Sequence, residues 1–291
     1  MKFGRKLFAL LLVLMLVNQV LRSPISLFQE WERRMLWLDG FNSVLYQYTD
    51  YDVGVFERKA TEVNEKEKPP LVLLPDLGSP ISSWRNIVKV IPEDRTVQMI
   101  EYFGQGRSVF KEESFYFASF DHMLFSIVDD ISEPVVLVGH GLGGWLAVRF
   151  ATQYPELVDR VIVINPSGFE QAIEMPKTIE ETTAHLEMMI GKRWHFGFVL
   201  RDWLNFFDTP LQEAMKEEMT LEGKLSREER LLEKRLFLLW GEQDPRSTKQ
   251  YRNLYQEHFS KASVDSLKDG YHSPQFTHPQ KLQEFLLSSL K

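Results

Sequence analysis

The chain has 291 residues, of which 44% are hydrophobic and 26% charged, so it is globular in composition and long enough to bury a core without covalent staples. It contains no cysteine, which excludes disulfides, thiolate metal sites, thiol redox chemistry and a cysteine nucleophile. A net charge of −7 speaks against a nucleic-acid binder, which would present a basic face.

Charge and hydropathy set the N-terminus apart from the rest of the chain. Residues 1–34 carry six basic and two acidic side chains, a net charge of +4 that leaves −11 for the remainder. The long apolar run Leu7–Leu21 lies within this basic end, and no small-residue cleavage site follows it. A positive flank before an apolar stretch is typical of a signal sequence or signal anchor. We therefore predict an N-terminal membrane anchor or signal sequence over residues 1–22, with membrane contact through residues 7–21.

The length of this run and the charges beside it leave alternatives open. At 15 residues the run is shorter than the ~20 that span a bilayer comfortably, so a cleaved signal or a helix in the membrane interface is an alternative. Lys2, Arg5 and Lys6 favour a cytoplasmic N-terminus and hence an extracytoplasmic body. Basic residues on the other flank, from Arg22 onward, weaken that orientation.

Short β-rich runs then alternate with helical patterns. Two runs, Asn42–Tyr48 and Val53–Arg58, indicate a hairpin, and helical patterns lie at Ser119–Asp130 and Trp145–Tyr154. Five short apolar runs read as buried strands: Leu71–Leu74, Val97–Ile100, Val135–Val138, Val161–Ile164 and Leu236–Leu239. This alternation predicts an α/β fold, a mostly parallel central sheet with helices on both faces.

The predicted domain organisation follows from where that alternation stops. We assign residues 35–168 and 231–291 to the α/β core. Residues 169–230 are charged and aromatic with helical spacing, and we predict that they form an inserted cap or lid. Aromatic residues in this stretch suit a pocket for a small apolar molecule, or else the cap's own core. They include Trp194, Phe198, Trp203 and Phe207.

A glycine-rich turn, VVLVGHGLGG at residues 135–144, has two functional interpretations. Gly139, Gly141 and Gly144 match G-x-G-x-x-G between a strand and a helix, a pattern of dinucleotide-binding proteins. Against this, the next strand ends in Asn165-Pro166, where an acidic residue should meet the ribose. The second interpretation is a nucleophile elbow, G-x-S-x-G, with Gly141 at the position of the nucleophile.

Further motifs resemble the α/β-hydrolase superfamily over about residues 40–168 and 235–290. In chain order they are Leu71–Trp84 (its strand and oxyanion loop), Glu101–Ser108 (its D-x-x-G-x-G-x-S turn), Val161–Gly168 (the strand after the elbow helix), Leu236–Pro245 (the strand ending in G-x-x-D) and Gly270–His272 with Pro279 (the final G-H region). The resemblance implies that Asp244 is the acid and His272 the base, in the family's chain order. It also implies an oxyanion hole made by the backbone N–H groups of Leu77 and Leu142.

Two positions depart from the family's pattern. Gly141 replaces the Ser or Asp nucleophile, so no acyl-enzyme can form in the standard Ser-His-Asp way. Pro75-Asp76 replaces the usual His-Gly, which puts a carboxylate beside a developing oxyanion. Ser79 and Ser167 are substitutes for the nucleophile only if they face the pocket.

Whether the protein is an enzyme is therefore open at the level of sequence. The first hypothesis is a hydrolase-like protein, acting on an ester, acyl or related small apolar substrate, in which His272 and Asp244 direct a water molecule lodged beside Gly141. The alternative is a catalytically inactive pseudo-hydrolase that binds a ligand or partner. A remote alternative is dinucleotide binding through the glycine-rich turn. No metal-ligand spacing and no P-loop occur, so we expect neither a metal nor a cofactor.

Overall fold

The computed structural model describes residues 14–15, 17–61, 68–112, 116, 118–168, 176–192, 197–207 and 235–291. These residues form a nine-stranded sheet with helices on both faces, which confirms the predicted α/β class. The strands are β1 (Asn42–Gln47), β2 (Tyr51–Arg58), β3 (Leu71–Leu74), β4 (Val97–Ile100), β5 (Val109–Phe110), β6 (Val135–His140), β7 (Val158–Ile164), β8 (Leu236–Gly241) and β9 (Ser263–Leu267).

The strand order places the predicted motifs next to one another. The order is β1-β2-β4-β3-β6-β7-β8-β9, and β5 pairs with β2. The β1–β2 hairpin is antiparallel and β2 is antiparallel to β4, whereas the pairs from β4 through β9 are parallel. Because parallel strands end at the same edge, the loops that follow β3, β6 and β8 meet there.

The helices cover the sheet and, in part, the site. They are α1 (Pro24–Leu38), α2 (Arg85–Val88), α3 (Ala118–Ile131), α4 (Leu142–Gln153), α5 (Ile179–Ile190), α6 (Gly197–Phe207), α7 (Lys249–His258), α8 (Pro274–Thr277) and α9 (Pro279–Ser289). Short 3₁₀ turns occur at Ile81–Trp84 and Pro155–Leu157. Helices α5 and α6 lie within the predicted cap, and the rest of that prediction falls largely outside the described residues.

Alternating side chains of the central strands build two cores, one on each face of the sheet. In β3, Val72 and Leu74 join one core, while Leu71 and Leu73 join the other, and all four are fully buried. This burial on both faces explains why the strands are continuous apolar runs rather than alternating ones. The sheet is therefore a rigid support for the loops at its carboxyl edge.

The predicted N-terminal anchor falls mostly on residues outside the description. Residues 14–15 and 17–22 are helical, and residues 1–13 and 16 are not described. Among the helices that are described, none combines the length and the apolar character needed to cross a bilayer.

Candidate active site

The glycine-rich turn between β6 and α4 has the backbone of a nucleophile elbow. Gly141 has φ 53° and ψ −116°, a conformation that residues with a side chain rarely adopt. Its neighbours are glycines because of close packing: a Cβ on Gly139 would overlap the backbone of Gly143, and one on Gly143 would overlap that of Leu74. The glycines thus serve a tight strand-to-helix turn against β3.

The space beside Gly141 is filled by the side chain of Asp76. A Cβ built on Gly141 would overlap the Asp76 carboxylate, so the room expected for a water molecule at this point is taken. The N–H of Leu142, at the start of α4, donates to Oδ1 of Asp76 at 2.8 Å. A pyrophosphate would need this same helix N-terminus, so the geometry speaks against dinucleotide binding.

His272 and Asp244, the base and acid implied by the family resemblance, lie in direct contact. His272 follows β9 and Asp244 follows β8, and Nδ1 of His272 donates to Oδ2 of Asp244 at 2.8 Å. Asp244 also accepts hydrogen bonds from the Ser247 hydroxyl at 2.7 Å and from the Arg246 backbone N–H at 2.9 Å. The acid is therefore fixed in position and orients the imidazole.

The second nitrogen of His272 faces Asp76 rather than a serine. Nε2 of His272 donates to Oδ2 of Asp76 at 3.0 Å. His272 is 1% exposed and Asp76 is 2% exposed, so this ion pair is shielded from solvent. One carboxylate oxygen thus binds the N–H of Leu142, a group predicted to form the oxyanion hole, while the other binds the imidazole.

The two carboxylates determine the charge of this site. Burial alone would lower the pKa of His272, but Asp244 and Asp76 raise it to about 9. Burial alone would raise the pKa of Asp76, but the hydrogen bond and charge of His272 hold that pKa well below the usual range. At neutral pH the site is an imidazolium between two carboxylates. In this state His272 is a proton donor and has no lone pair to act as a base.

A shell of buried polar groups holds the His272 loop against the elbow. Nδ2 of Asn165 donates to the carbonyls of Tyr271 and His272 at 3.1 and 2.8 Å, and its Oδ1 accepts from the Gly241 N–H at 2.8 Å. His140 donates through Nε2 to the His272 carbonyl at 2.7 Å and accepts at Nδ1 from Gln275 at 2.9 Å. Burial, together with the His272 charge, lowers the pKa of His140 to about 4, so this ring is neutral.

Asp76, His140 and His272 also place potential metal-ligand atoms within 4.8 Å of one another. Both nitrogens of His140 are already engaged, and both nitrogens of His272 carry protons in the charged state. A metal would require a lone pair on each imidazole. A metal ion here would therefore have to displace these hydrogen bonds and the His272 protons.

Arg246 and His185 complete the surroundings on the side of α5 and α6. Nη1 of Arg246 lies 3.6 Å from Oδ2 of Asp76 and 3.5 Å from Nε2 of His272. The ring of His185 on α5 packs in a tilted arrangement against Trp203 on α6, with ring centroids 5.1 Å apart. Burial, followed by the charge of Arg246, lowers the pKa of His185 to about 4. A neutral aromatic pair thus lies on the side of α5 and α6 beside the charged cluster.

Sequence reasoning named most of these residues but not their arrangement. It placed Gly141, Leu142, Asp244 and His272 at the site, and the structure brings them together, with Leu77 buried in the loop after β3. The contact between Asp76 and His272 was not anticipated. Arg246 and Asn165 were also missed, although Arg246 lies two residues after Asp244 and Asn165 directly follows β7.

The serines considered as substitute nucleophiles do not contact the imidazole. The backbone N–H of Ser79 donates to the Asp76 carbonyl at 3.0 Å, and that of Ser167 donates to the Gly141 carbonyl at 3.0 Å. The ring nitrogens of His272 are directed at carboxylates.

Comparisons with known proteins agree with the fold. Residues 71–284 match the model of the alpha/beta hydrolase family. The chain is 29% identical over 116 residues to the Rattus norvegicus protein named 1-acylglycerol-3-phosphate O-acyltransferase ABHD5. This alignment covers 37% of this chain and 32% of that protein. It is 29% identical over 150 residues to the Arabidopsis thaliana protein named alpha/beta hydrolase domain-containing protein VTE7, covering 50% of this chain and 45% of that one. The chain thus spans a third to a half of these relatives.

Solved structures show the same fold at low identity. The crystal structure of a membrane phospholipase A, described as a novel bacterial virulence factor, superposes on this chain with a TM-score of 0.78 at 17% identity. The match covers 99% of this chain and 98% of that one. A carboxylesterase CesB from Bacillus subtilis has a TM-score of 0.69 and 17% identity, covering 91% and 97%.

Proposed function

Because the chain belongs to the alpha/beta hydrolase family, we propose that it is a membrane-associated hydrolase in which the Asp76 carboxylate takes the role of the missing elbow nucleophile. The observation that carries this proposal is the position of that carboxylate. Asp76 contacts both the oxyanion N–H of Leu142 and Nε2 of His272, the two groups that serve the nucleophile and its intermediate in this chemistry.

A carboxylate nucleophile changes the class of substrate expected for the site. Attack on an acyl ester would form an anhydride, which is no more stable than the ester that is consumed. Attack on a saturated carbon forms an ordinary ester, which a base and an oxyanion donor can hydrolyse. The substrate that fits is a small apolar epoxide, because its ring opens at a saturated carbon and needs a proton donor.

The first step uses the site in its resting charge state. Oδ2 of Asp76 attacks an epoxide carbon, forming a C–O bond while the ring C–O bond breaks. The alkoxide takes the Nε2 proton of His272, which leaves a hydroxyalkyl ester on Asp76 and a neutral imidazole. Once Asp76 is an ester, one of the two carboxylates that raise the His272 pKa is gone, so the imidazole becomes a competent base.

The second step hydrolyses the ester and restores the resting state. His272 takes a proton from water, and the hydroxide attacks Cγ of Asp76. Negative charge develops on Oδ1, which the Leu142 N–H already binds at 2.8 Å. The tetrahedral intermediate collapses, the diol oxygen leaves with the proton of the new carboxylic acid, and the site returns to an Asp76 carboxylate and a His272 imidazolium.

A buried phenol gives further support for a polar ligand group here. Tyr102 follows β4, and its hydroxyl is buried with no hydrogen-bond partner among the described residues. Burial and the charge of Asp76 raise its pKa well above the usual value, so it stays a neutral donor. Since a buried unpaired hydroxyl is costly, a ligand oxygen would be a natural partner for it.

The contacts of Asp76 with the Leu142 N–H and with His272 also favour a second candidate function, a catalytically inactive pseudo-hydrolase. If the carboxylate never reacts, Asp76 is a permanent occupant of the oxyanion hole, and the pocket serves only for ligand binding. A single-turnover experiment distinguishes this inactive candidate from a catalytic hydrolase.

The experiment is one turnover of styrene oxide by excess full-length protein in ¹⁸O-labelled water. We expect the first-turnover diol to carry no label, because its new oxygen comes from Asp76, and the peptide containing Asp76 to gain ¹⁸O. Label in the first-turnover diol would mean that water attacks directly and would overturn the role of Asp76. No turnover of styrene oxide or of aliphatic epoxides by the folded protein would favour the pseudo-hydrolase.

A trapping experiment tests the intermediate by a second route. Benzyl bromide needs no proton donor for its leaving group, so the variant His272→Gln should accumulate a benzyl ester on the Asp76 peptide. The double variant Asp76→Asn/His272→Gln is the matched control and should carry none there. The variant His122→Gln, changed at an exposed histidine on α3, should turn over styrene oxide like the wild type.

We also propose that the N-terminus anchors the protein to a membrane with the body on the extracytoplasmic side. The support is the apolar run Leu7–Leu21 and the net charge of +4 on residues 1–34. The full chain should sediment with membranes after a high-salt wash, and protease added outside intact cells or spheroplasts should cleave the body. Recovery entirely in the soluble fraction would contradict the anchor.

A further inference from the structure

Helix α1 exposes an apolar stripe that the hydrolase site does not use. Phe28, Trp31 and Leu38 are 52%, 49% and 64% exposed, and Met35 is half-buried between them. The spacing of these four residues, three, four and three, puts them on one face of the helix. We refer to this face as the α1 stripe.

The opposite side of the helix holds it firmly on the body. Leu36 is fully buried in the hydrophobic core that also contains Leu71 and Leu73. Arg33 donates to the buried Glu101 at 2.5 Å, and Asp39 at the helix end accepts from Arg85 at 2.7 Å. Because these contacts fix α1, the stripe has a defined direction relative to the active site.

We propose that the α1 stripe rests in the headgroup region of a lipid bilayer, as a second contact beyond the N-terminal anchor. This inference rests on the proposed membrane association, and it adds the surface and the orientation. Large aromatic side chains on an amphipathic helix, with the charged residues on the other faces, are the composition of interfacial helices. Tryptophan in particular favours the boundary between headgroups and acyl chains.

The chain before α1 points to the same occupant. Val17, Val20 and Leu21 lie in the helical stretch 17–22 and are 45–55% exposed, so apolar surface leads directly into α1 across Ser23. Residues 22–38, which follow the apolar run, carry a net charge of only +1, so the exposed apolar surface rather than charge carries the assignment to a bilayer.

The docked orientation has a consequence for the site. Helix α1 packs against α6, the cap helix that carries Trp203. Lipid contact through the stripe would therefore hold the cap beside the membrane surface. A small apolar substrate that partitions into the bilayer would then reach the site from the lipid side.

The absence of cysteine makes the test direct, since an introduced cysteine gives a single labelling position. The variants Phe28→Cys and Leu38→Cys, in the full chain, carry an environment-sensitive nitrobenzoxadiazole label. Ser26→Cys is the matched control, exposed on the same helix but away from the stripe, and Ser263→Cys on β9 is the distant control. The probe is a phosphatidylcholine vesicle with or without phosphatidylglycerol.

We expect the stripe labels to shift to shorter emission wavelength when the protein binds vesicles of either composition and to be quenched by lipid-linked nitroxide. The Ser26 and Ser263 labels should keep their aqueous spectra. If the protein binds vesicles but all four labels remain aqueous, the anchor holds and the α1 stripe is not a lipid contact. If it does not bind vesicles, the anchor fails as well. A shift of the stripe labels without lipid, dependent on protein concentration, would instead indicate a second copy of the chain and overturn the lipid assignment.

Discussion

The charged state of His272 makes stability at alkaline pH a measurable property of the site. The imidazole lies between Asp244 and Asp76, which raise its pKa from 6.5 to about 9 against the opposing effect of burial. A raised pKa in the folded state means that the stabilisation is complete below about pH 6.5 and is lost as pH rises through about 9. A shift of roughly 2.5 pKa units corresponds to about 3 kcal/mol of unfolding free energy.

The perturbation is the variant His272→Gln, and the assay is urea unfolding of the full chain in non-ionic detergent between pH 6 and 10. The wild type should exceed the variant most at pH 6, and the difference should shrink by about 3 kcal/mol by pH 10. The subtraction removes other groups that titrate in this range, and His122→Gln controls for loss of an exposed histidine. A difference that stays constant across this range would refute the imidazolium between two carboxylates.

Three further changes have expected outcomes. Gly141→Ser alone should destabilise the fold by about 3 kcal/mol, because its Cβ overlaps Asp76 and its backbone is strained. This single variant should show no esterase activity. The double variant Asp76→Gly/Gly141→Ser should hydrolyse short p-nitrophenyl esters. If the single variant is as active and stable as the double variant, the overlap is wrong. Tyr102→Phe should lower kcat/KM for an epoxide by about tenfold, as for one lost hydrogen bond, and unchanged kinetics would exclude a ligand contact. Asn165→Ala removes three hydrogen bonds, two of them buried, and should lower the free energy of unfolding in urea by about 2–4 kcal/mol. A loss below about 1 kcal/mol would show that the His272 loop is held by other contacts.

The sequence predicted the central strands of the sheet but not the edge strand β9. The central strands are short apolar runs because both of their faces are buried, and that pattern is readable without a structure. Strand β9, Ser263–Leu267, escaped because four of its five residues are exposed and no apolar run marks it. Helix α1 was not predicted either, although Phe28, Trp31, Met35 and Leu38 follow a helical period.

Motifs that are local in the chain were found from the sequence, including the elbow turn, the acid after β8 and the histidine after β9. The sequence by itself therefore determined the α/β fold, the absence of an elbow nucleophile and the identities of Gly141, Asp244 and His272. Only the tertiary structure decided what fills the empty position. Asp76 is 66 residues from Leu142 and 196 from His272, and the parallel register of the sheet brings all three to one edge. Each contact depends on a side-chain direction at a strand end, which no spacing along the chain encodes.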